Sequence, residues 1–257
     1  MSARSFATRR FFTQQSSPAP TRWRPQIATY ATIGLCCSGY AYNFYADDQA
    51  QKKRKFWHRN FIDKNLVFTR DNYNGGRWWT MVTYSFVHTS ALHLAVNMFA
   101  LSSFAPISIG LIGLRSTSAL WLGGSVFAMY LTMAGEDYKN KQAKSKGSSK
   151  PITVAGWPLP QSSPTDQPNM RFIGASSSLL SIVAAVACKI PQHGMYIFPL
   201  PVAVPMYGAI GGFAVFSAVA YIQDLLPFLG HTGHLGGIIF GAAYYTLALR
   251  TKRFPRG

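Results

Sequence analysis

Two polar clusters, each at the start of a long apolar run, contain the residues of this sequence best suited to chemistry. Ser176 lies in the cluster Gly174–Ser177, and His234 lies in the later cluster Gly230–Gly237. A serine hydroxyl becomes a useful nucleophile when a neighbouring base takes its proton, and histidine is the usual base. Ionisable residues at membrane depth are costly and mark functional sites by default. The two clusters therefore predict a nucleophile and its general base.

A third polar cluster opens another apolar run and contains His88, His93 and Asn97. His93 and Asn97 are four residues apart, so they share one face of a helix. His88 would lie well round that helix and need not belong to the same site. Attack on a carbonyl would create an oxyanion, which preplaced donors stabilise. The side chains of His93 and Asn97, with the backbone N–H of Ser176, could be those donors.

Six apolar runs must position these clusters, each near the roughly 20 residues that a helix needs to cross the hydrocarbon core. The clusters lie near the N-terminal ends of the second, fourth and sixth runs. Because alternate spans run in the same direction, all three clusters must lie toward one side of the membrane at similar depth. We predict spans at about residues 26–46, 81–104, 117–134, 171–189, 197–222 and 233–250.

Small residues would allow the fourth and sixth spans to approach closely. Gly237 and Gly241 form a Gly-x-x-x-Gly step beside His234, and the fourth span carries a stripe of small residues beside Ser176. Steps of this kind let transmembrane helices come close together. Contact between these spans would bring Ser176 toward His234. Ordinary helix packing would also explain the glycines, but it would leave the histidine unexplained.

No carboxylate is placed to complete a catalytic triad. The spans are nearly free of acids, and Asp224, the nearest acid before His234, is predicted to lie in the loop beyond the fifth span. We therefore predict a Ser–His dyad. The histidine pairs His88/His93 and His231/His234 could instead ligate a metal or haem, but cysteine and carboxylate partners are missing. The sequence thus predicts no metal and no cofactor.

Composition favours a membrane protein. The chain has 257 residues, of which 48% are hydrophobic and only 13% are charged, whereas soluble proteins carry about 25% charged residues. The net charge of +17 would ordinarily suggest a nucleic-acid partner. Here the basic residues lie in the termini and two loops, as expected for segments that flank membrane spans. We predict contact with a lipid bilayer and none with nucleic acid.

The segments outside the spans have distinct compositions. Residues 1–25 contain five arginines, several serines and no acid, a composition typical of a mitochondrial transit peptide. A disordered basic tail is the alternative. Pro106 lies in residues 105–116, which are predicted to turn between the second and third spans. Residues 135–170, with five lysines and five prolines, are predicted to be a flexible loop, and residues 251–257 a basic tail.

At these motifs the chain resembles the rhomboid family of intramembrane serine proteases, over about residues 26–250. The Arg77–Trp79 stretch is similar to the aromatic-arginine element of the family's first loop, and Ser177 departs from the glycine that many members have after the nucleophile. The three family signatures, Gly-x-Ser-x, the second-span His-x4-His-x3-Asn, and the last-span histidine with its glycines, match Gly174–Ser177, His88, His93, Asn97, His234, Gly237 and Gly241.

The resemblance implies an all-α membrane protein with a six-transmembrane-helix rhomboid bundle over residues 26–250. It implies that Ser176 is the nucleophile, His234 the general base, and His93 and Asn97 the oxyanion donors. The expected reaction is hydrolysis of peptide bonds in transmembrane or membrane-anchored protein substrates through an acyl-enzyme. A catalytically silent relative that binds transmembrane clients is the alternative, but such proteins typically lack the serine or the histidine.

The targeting composition and the resemblance together predict a multi-pass protein of the mitochondrial inner membrane. If the first span starts in the matrix, the active site opens toward the intermembrane space. A channel or transporter would show paired intramembrane charges or broken helices in both halves, and the sequence has neither.

Overall fold

The computed structural model describes residues 25–146, 153–154, 157–158, 170–196, 202–223, 225–226 and 229–251. The predicted targeting segment, except Pro25, and the predicted basic tail, except Thr251, lie outside these residues. Most of the predicted loop after residue 146 and Asp224 also lie outside them. The statements below concern the described part of the chain.

The described chain is mainly helical, and it has two short antiparallel strand pairs, β1 with β2 and β3 with β4. A 3₁₀ turn at Tyr84–Phe86 precedes α5, and a π-helical turn at Tyr245–Leu249 follows α9. In chain order the elements are α1 (Pro25–Lys53), α2 (Trp57–Asn65), α3 (Arg70–Asn74), α4 (Thr80–Thr83), α5 (Ala91–Ile112), α6 (Leu114–Lys146), β1 (Thr153–Val154), β2 (Trp157–Pro158), α7 (Ser176–Lys189), β3 (Gly194–Tyr196), β4 (Ala203–Pro205), α8 (Met206–Ile222) and α9 (His231–Tyr244).

Two of these helices are long and apolar enough to cross a membrane by length and composition. They are α5 and the Leu114–Gln142 part of α6. The shorter helices α7 and α8 are also apolar. The length and composition of α5 and α6 are compatible with the predicted membrane character of the chain, while the count of six spans stays a prediction.

Helix α7 lies at the centre of the helical packing. It contacts α5, α6, α8 and α9, and nearly every residue from Ser177 to Ala187 is buried. Its residues are mostly small or β-branched, which lets four helices surround it closely. The packing of these four helices against α7 therefore fixes the position of its N-terminal end.

The contact between α9 and α7 is made at the level of the backbone. A Cβ atom added to Gly237 would clash with the carbonyl of Ser177, and one added to Gly241 would clash with the carbonyl of Ser181. On another face of α9, Gly236 lies against Ala128 of α6. Glycine therefore permits α9 to pack directly on both neighbours.

The chain turns within the predicted segment 105–116, at Gly113 and not at Pro106. Helix α5 runs through Pro106 to Ile112, and the chain turns at Gly113, whose φ is 83°. A proline inside a helix removes one backbone hydrogen bond but need not end the helix when tertiary packing holds it. A residue with positive φ does end it, and glycine adopts that conformation without steric cost.

The predicted start of the flexible loop at residue 135 is also corrected. Helix α6 continues to Lys146 instead of ending near residue 134. Arg70 of α3 binds this segment, with one bond of 2.6 Å to the carbonyl of Met133 and ion pairs to Glu136 and Asp137. Residues 136–146 are also rich in good helix formers. Local propensity and these contacts extend the helix past the apolar run.

In three of the predicted spans, the long helix begins later than the apolar run does. The second predicted span starts with α4 and the 3₁₀ turn before α5 begins at Ala91, and the fourth starts with an extended segment before Ser176. The fifth starts beside the β3–β4 pair, and α8 begins only at Met206. Apolar residues continue beyond helices in each case, so hydropathy alone placed these boundaries too early.

The contact of α9 on α7 leads to a stability prediction. Gly241→Ala should lower the free energy of unfolding by about 1–3 kcal/mol, because the new methyl group meets backbone that cannot rotate away. Thermal or denaturant unfolding of the purified protein in detergent measures this change. Gly211→Ala in α8 is the matched control, because no described atom lies within 4 Å of its added Cβ. Equal effects of the two substitutions would contradict the packing argument.

Candidate active site

Ser176 and His234 meet where the N-terminal ends of α7 and α9 adjoin. Nε2 of His234 lies 2.9 Å from Oγ of Ser176, which is hydrogen-bonding distance. Ser176 is the first residue of α7, and His234 lies in the first turn of α9. The two most chemically suggestive residues of the sequence are therefore in direct contact, although 58 positions separate them.

The backbone that leads into Ser176 has a conformation that requires glycine. Gly174 has a φ of 125°, and its N–H donates to the carbonyl of Tyr84 at 3.0 Å. A Cβ atom at Gly174 would also meet the imidazole of His93, 2.8 Å from its Nε2. Gly174 thus permits both the turn before Ser176 and the close approach of His93.

His93 and Asn97 differ in how the structure places them. The ring of His93 packs against Gly174, two residues before Ser176. The buried amide of Asn97 donates its one described hydrogen bond to the carbonyl of His93, at 2.8 Å. One N–H of that amide therefore supports the turn of α5 that carries His93, and the second remains for other partners.

His88, which the spacing did not require in the site, contacts the residue before Ser176. Its side chain is fully buried, and its Nε2 accepts a hydrogen bond of 3.4 Å from the backbone N–H of Ala175. Its ring lies 5.2 Å from that of His93, and its own carbonyl accepts a 3.3 Å bond from the amide of Asn43 in α1. A polar residue within the first apolar run was the only sequence signal for Asn43.

The imidazole of His234 has an apolar neighbour, and no acid among the described residues lies beside it. The ring of Phe213 in α8 lies 5.5 Å from it, and the ring of His231 lies 6.5 Å away. Nδ1 of His234 is buried, and no group in the described part of the chain bonds to it. Asp224, the acid nearest in sequence, is outside the described residues. Among the described residues, the neighbours that position the ring of His234 are Ser176, Phe213 and His231.

A comparison with protein families decides the identity of this helical domain. The family model described as "Rhomboid domain" matches residues 75–251. This range includes Ser176, His234 and Phe213. The chain belongs to the rhomboid family. The predicted family is thereby confirmed, and the helical bundle described above is a rhomboid domain.

Named relatives of this rhomboid protein are mitochondrial. Presenilin-associated rhomboid-like protein A of Danio rerio is 30% identical over 191 residues, covering 73% of this chain and 43% of that protein. The human presenilin-associated rhomboid-like protein is 25% identical over 65% of this chain and 37% of its own length. An uncharacterized rhomboid protein of Schizosaccharomyces pombe is 24% identical over 90% of this chain and 67% of its own length. All three carry the word mitochondrial in their names, and this chain spans less than half of the first two.

An ion-pair network ties the segment before Ser176 of this rhomboid domain to α1 and α2. Asp63 of α2 binds Arg171 and also Arg59, at 2.6 Å from the latter. Arg59 in turn binds Asp47 of α1 at 2.8 Å. One residue after Arg171, Phe172 exchanges two backbone hydrogen bonds with Phe68. Side-chain charge and backbone pairing thus fix the same short segment.

The two arginines determine the ionisation of Asp63. Partial burial alone would raise the pKa of this carboxyl, but the hydrogen bonds and charges of Arg59 and Arg171 hold the pKa below its ordinary value. A lowered pKa means that the ionised form favours the folded state. The stabilisation is complete above the pKa of the unfolded chain, about 3.9 for aspartate, and is lost as the pH falls through the lower pKa of the folded state.

We therefore expect Asp63→Asn to be less stable than the wild type at neutral pH, with a difference that shrinks on acidification below about pH 4. Unfolding of the purified protein in detergent across this pH range measures it. Asp48→Asn is the control, because Asp48 pairs with a largely exposed Lys52 and exposed pairs contribute little. A difference between wild type and Asp63→Asn that does not change with pH would contradict this role of the carboxylate.

Proposed function

We propose that this rhomboid protein is an intramembrane serine endopeptidase that hydrolyses peptide bonds of transmembrane or membrane-anchored proteins. The observation that carries the proposal is the 2.9 Å contact between Oγ of Ser176 and Nε2 of His234. Neither residue needs the other for packing, because the two helices already meet through glycine. A nucleophile beside a base explains the pair better than a structural hydrogen bond.

In the proposed mechanism, Oγ of Ser176 attacks the scissile carbonyl carbon while Nε2 of His234 takes the hydroxyl proton. The carbonyl oxygen becomes an oxyanion, which the His93 ring, the free N–H of the Asn97 amide and the backbone N–H of Ser176 stabilise. His234 then gives its proton to the leaving amine, and the acyl group stays on Ser176. A water deprotonated by His234 cleaves this ester, releasing the new carboxylate and restoring the serine.

The absence of a neighbouring acid in the described residues fits this scheme. In a triad the acid fixes the tautomer and orientation of the histidine. Here the ring of Phe213 and the close contact of α9 with α7 restrict the orientation of His234. The serine and histidine can therefore work as a dyad, with Gly174, Gly237 and Gly241 as supporting packing positions.

We expect Ser176→Ala and His234→Ala each to lower the rate at which the purified protein cleaves a model transmembrane substrate. The expected reduction is on the order of 10⁴-fold or more, because each variant lacks either the nucleophile or its base. The measurement is the appearance of the product band with time in detergent or vesicles. Ser178→Ala is a matched control in the same helix, since its buried hydroxyl has no hydrogen-bond partner among the described residues. Its activity and stability should stay near those of the wild type.

Two results would contradict the proposed enzyme in different ways. Cleavage that persists in Ser176→Ala would exclude this serine as the nucleophile. A folded wild type that cleaves no transmembrane substrate would favour the alternative, a catalytically silent relative that binds transmembrane clients.

We also propose that the protein resides in the mitochondrial inner membrane, with residues 1–25 as its targeting segment and residues 26–250 as its protease domain. The arginine-rich, acid-free composition of residues 1–25 supports this location, as do the mitochondrial names of its relatives. If α1 starts in the matrix, its C-terminal end and the N-terminal ends of α5, α7 and α9 face the intermembrane space. The dyad would then open toward that compartment.

Removing residues 1–25 should prevent import into isolated mitochondria, because the positive charge that drives import of such segments is lost. Protease protection of the imported chain measures the effect. A full-length variant with the five arginines of this segment changed to glutamine separates charge from length and should also fail to enter. Import of the truncated chain at the wild-type rate would refute the targeting role.

A further inference from the structure

The junction between α1 and α2 presents a basic and aromatic run to the surroundings. We call residues 52–57 the basic-aromatic junction, and every one of its residues is exposed. It contains four cations followed by Phe56 and Trp57, which are 56% and 68% exposed. Arg54 has a φ of 51° and lies just after the end of α1 at Lys53. None of this surface contributes to the dyad.

Most of the cationic charge of the junction is not neutralised by acids in the described part of the chain. The three acids nearest to it are already paired, Asp48 with Lys52 and both Asp47 and Asp63 with Arg59. No ion pair in the described part of the chain involves the other three cations. Those free cations are Lys53, Arg54 and Lys55.

Helix α2 places large aromatic side chains beside these cations. Its inner face buries Ile62 completely, while Phe61 on its outer face is 41% exposed. The ring of Trp57 stacks on that of Phe61, with centroids 6.0 Å apart. Exposed aromatic rings next to a basic run are the composition of segments that lie in a membrane interface.

The level of the junction along the bundle agrees with an interfacial position. The bond from Asn43 to the carbonyl of His88 sets this turn of α1 beside the start of α5. Helix α5 has 22 residues, about 33 Å at 1.5 Å per residue, which matches the roughly 30 Å of the hydrocarbon core. Asn43 therefore lies near the hydrocarbon boundary, on the side of the dyad.

The aromatic rings and the cations then lie at successive depths. The ring of His58 at the start of α2 contacts Tyr42 and Tyr45 of α1, so Trp57 and Phe61 lie near the boundary. Lys53 lies about 15 Å further along α1 than Asn43 by helical rise. Cations at that distance reach the layer of phospholipid headgroups and the water beside it.

We propose that the basic-aromatic junction binds the phosphate groups of anionic phospholipids in the leaflet on the side of Ser176 and His234. Lys53, Arg54 and Lys55 supply the charge, and arginine can bind two phosphate oxygens at once. Trp57 and Phe61 insert beside the glycerol and upper acyl region. An acidic protein segment would meet the same cations, but it gives no reason for exposed aromatics at the hydrocarbon boundary. Lipid binding here is independent of proteolysis.

Native mass spectrometry of the full-length protein in detergent tests the proposal. Added phosphatidylglycerol should be retained by the wild type in preference to phosphatidylcholine. The variant with Lys53→Gln, Arg54→Gln and Lys55→Gln should bind phosphatidylglycerol roughly tenfold more weakly, because each cation near an anionic headgroup adds attraction. Its binding of phosphatidylcholine and its melting temperature should not change.

A second triple variant is the matched control, because it removes the same charge from other exposed positions, Arg115→Gln, Lys141→Gln and Arg250→Gln. This control should bind phosphatidylglycerol about as tightly as the wild type does. Equal losses in the two triple variants would overturn the assignment to the junction. A wild type that prefers neither lipid would also overturn the proposal and would favour an acidic protein segment as the partner of these cations.

Discussion

The close approach of α9 to α7 is the constraint on which the rest of the molecule depends. Glycines at 237 and 241 let the backbone of α9 lie against the carbonyls of Ser177 and Ser181. Only at this separation can the imidazole of His234, on the preceding turn of α9, reach the hydroxyl of Ser176. An ordinary spacing of side chain against side chain would add several ångströms between the helix axes. The hydrogen bond between the two residues is therefore a consequence of helix packing.

The position of Ser176 also depends on the segment that precedes it, because Ser176 is the first residue of the short helix α7. That segment must be fixed by contacts of its own. Four contacts of three kinds meet this requirement within five residues. They are the ion pair of Arg171, the backbone pairing of Phe172, the bond from Gly174 to Tyr84, and the bond from Ala175 to His88. Their partners lie before α5 in the chain, in α2 and in the segment up to α5. Residues 63–88 thus hold the segment that leads into Ser176.

Some features of this fold follow from local sequence patterns, and others depend on contacts between distant residues. Helix parity placed the clusters of Ser176, His234 and His93 on one side, because direction alternates whatever the details of packing. The contact between His88 and Ala175 had no local signature, since it joins positions 87 residues apart. The same holds for Asp63 and Arg171. Such pairs depend on how the segments between them fold, which periodicity does not encode.

The errors in element boundaries have a common physical origin. Hydropathy reports which residues avoid water, whereas helix ends depend on backbone hydrogen bonds and φ angles. The helix through Pro106 ends at Gly113, and α6 continues into a charged segment held by Arg70. In each case a specific backbone or side-chain contact overrides the composition of the segment.

The length of α6 affects how other proteins can reach the site. At 33 residues it is about 50 Å long, so it exceeds the roughly 30 Å hydrocarbon core by some 20 Å. The excess emerges on the side of Ser176, where Arg70 and the hydroxyl of Tyr221 hold its base. If the protein cleaves membrane-anchored substrates as proposed, this part of α6 stands on one flank of Ser176. A bulky folded domain attached to the substrate would then have to approach from the other flank.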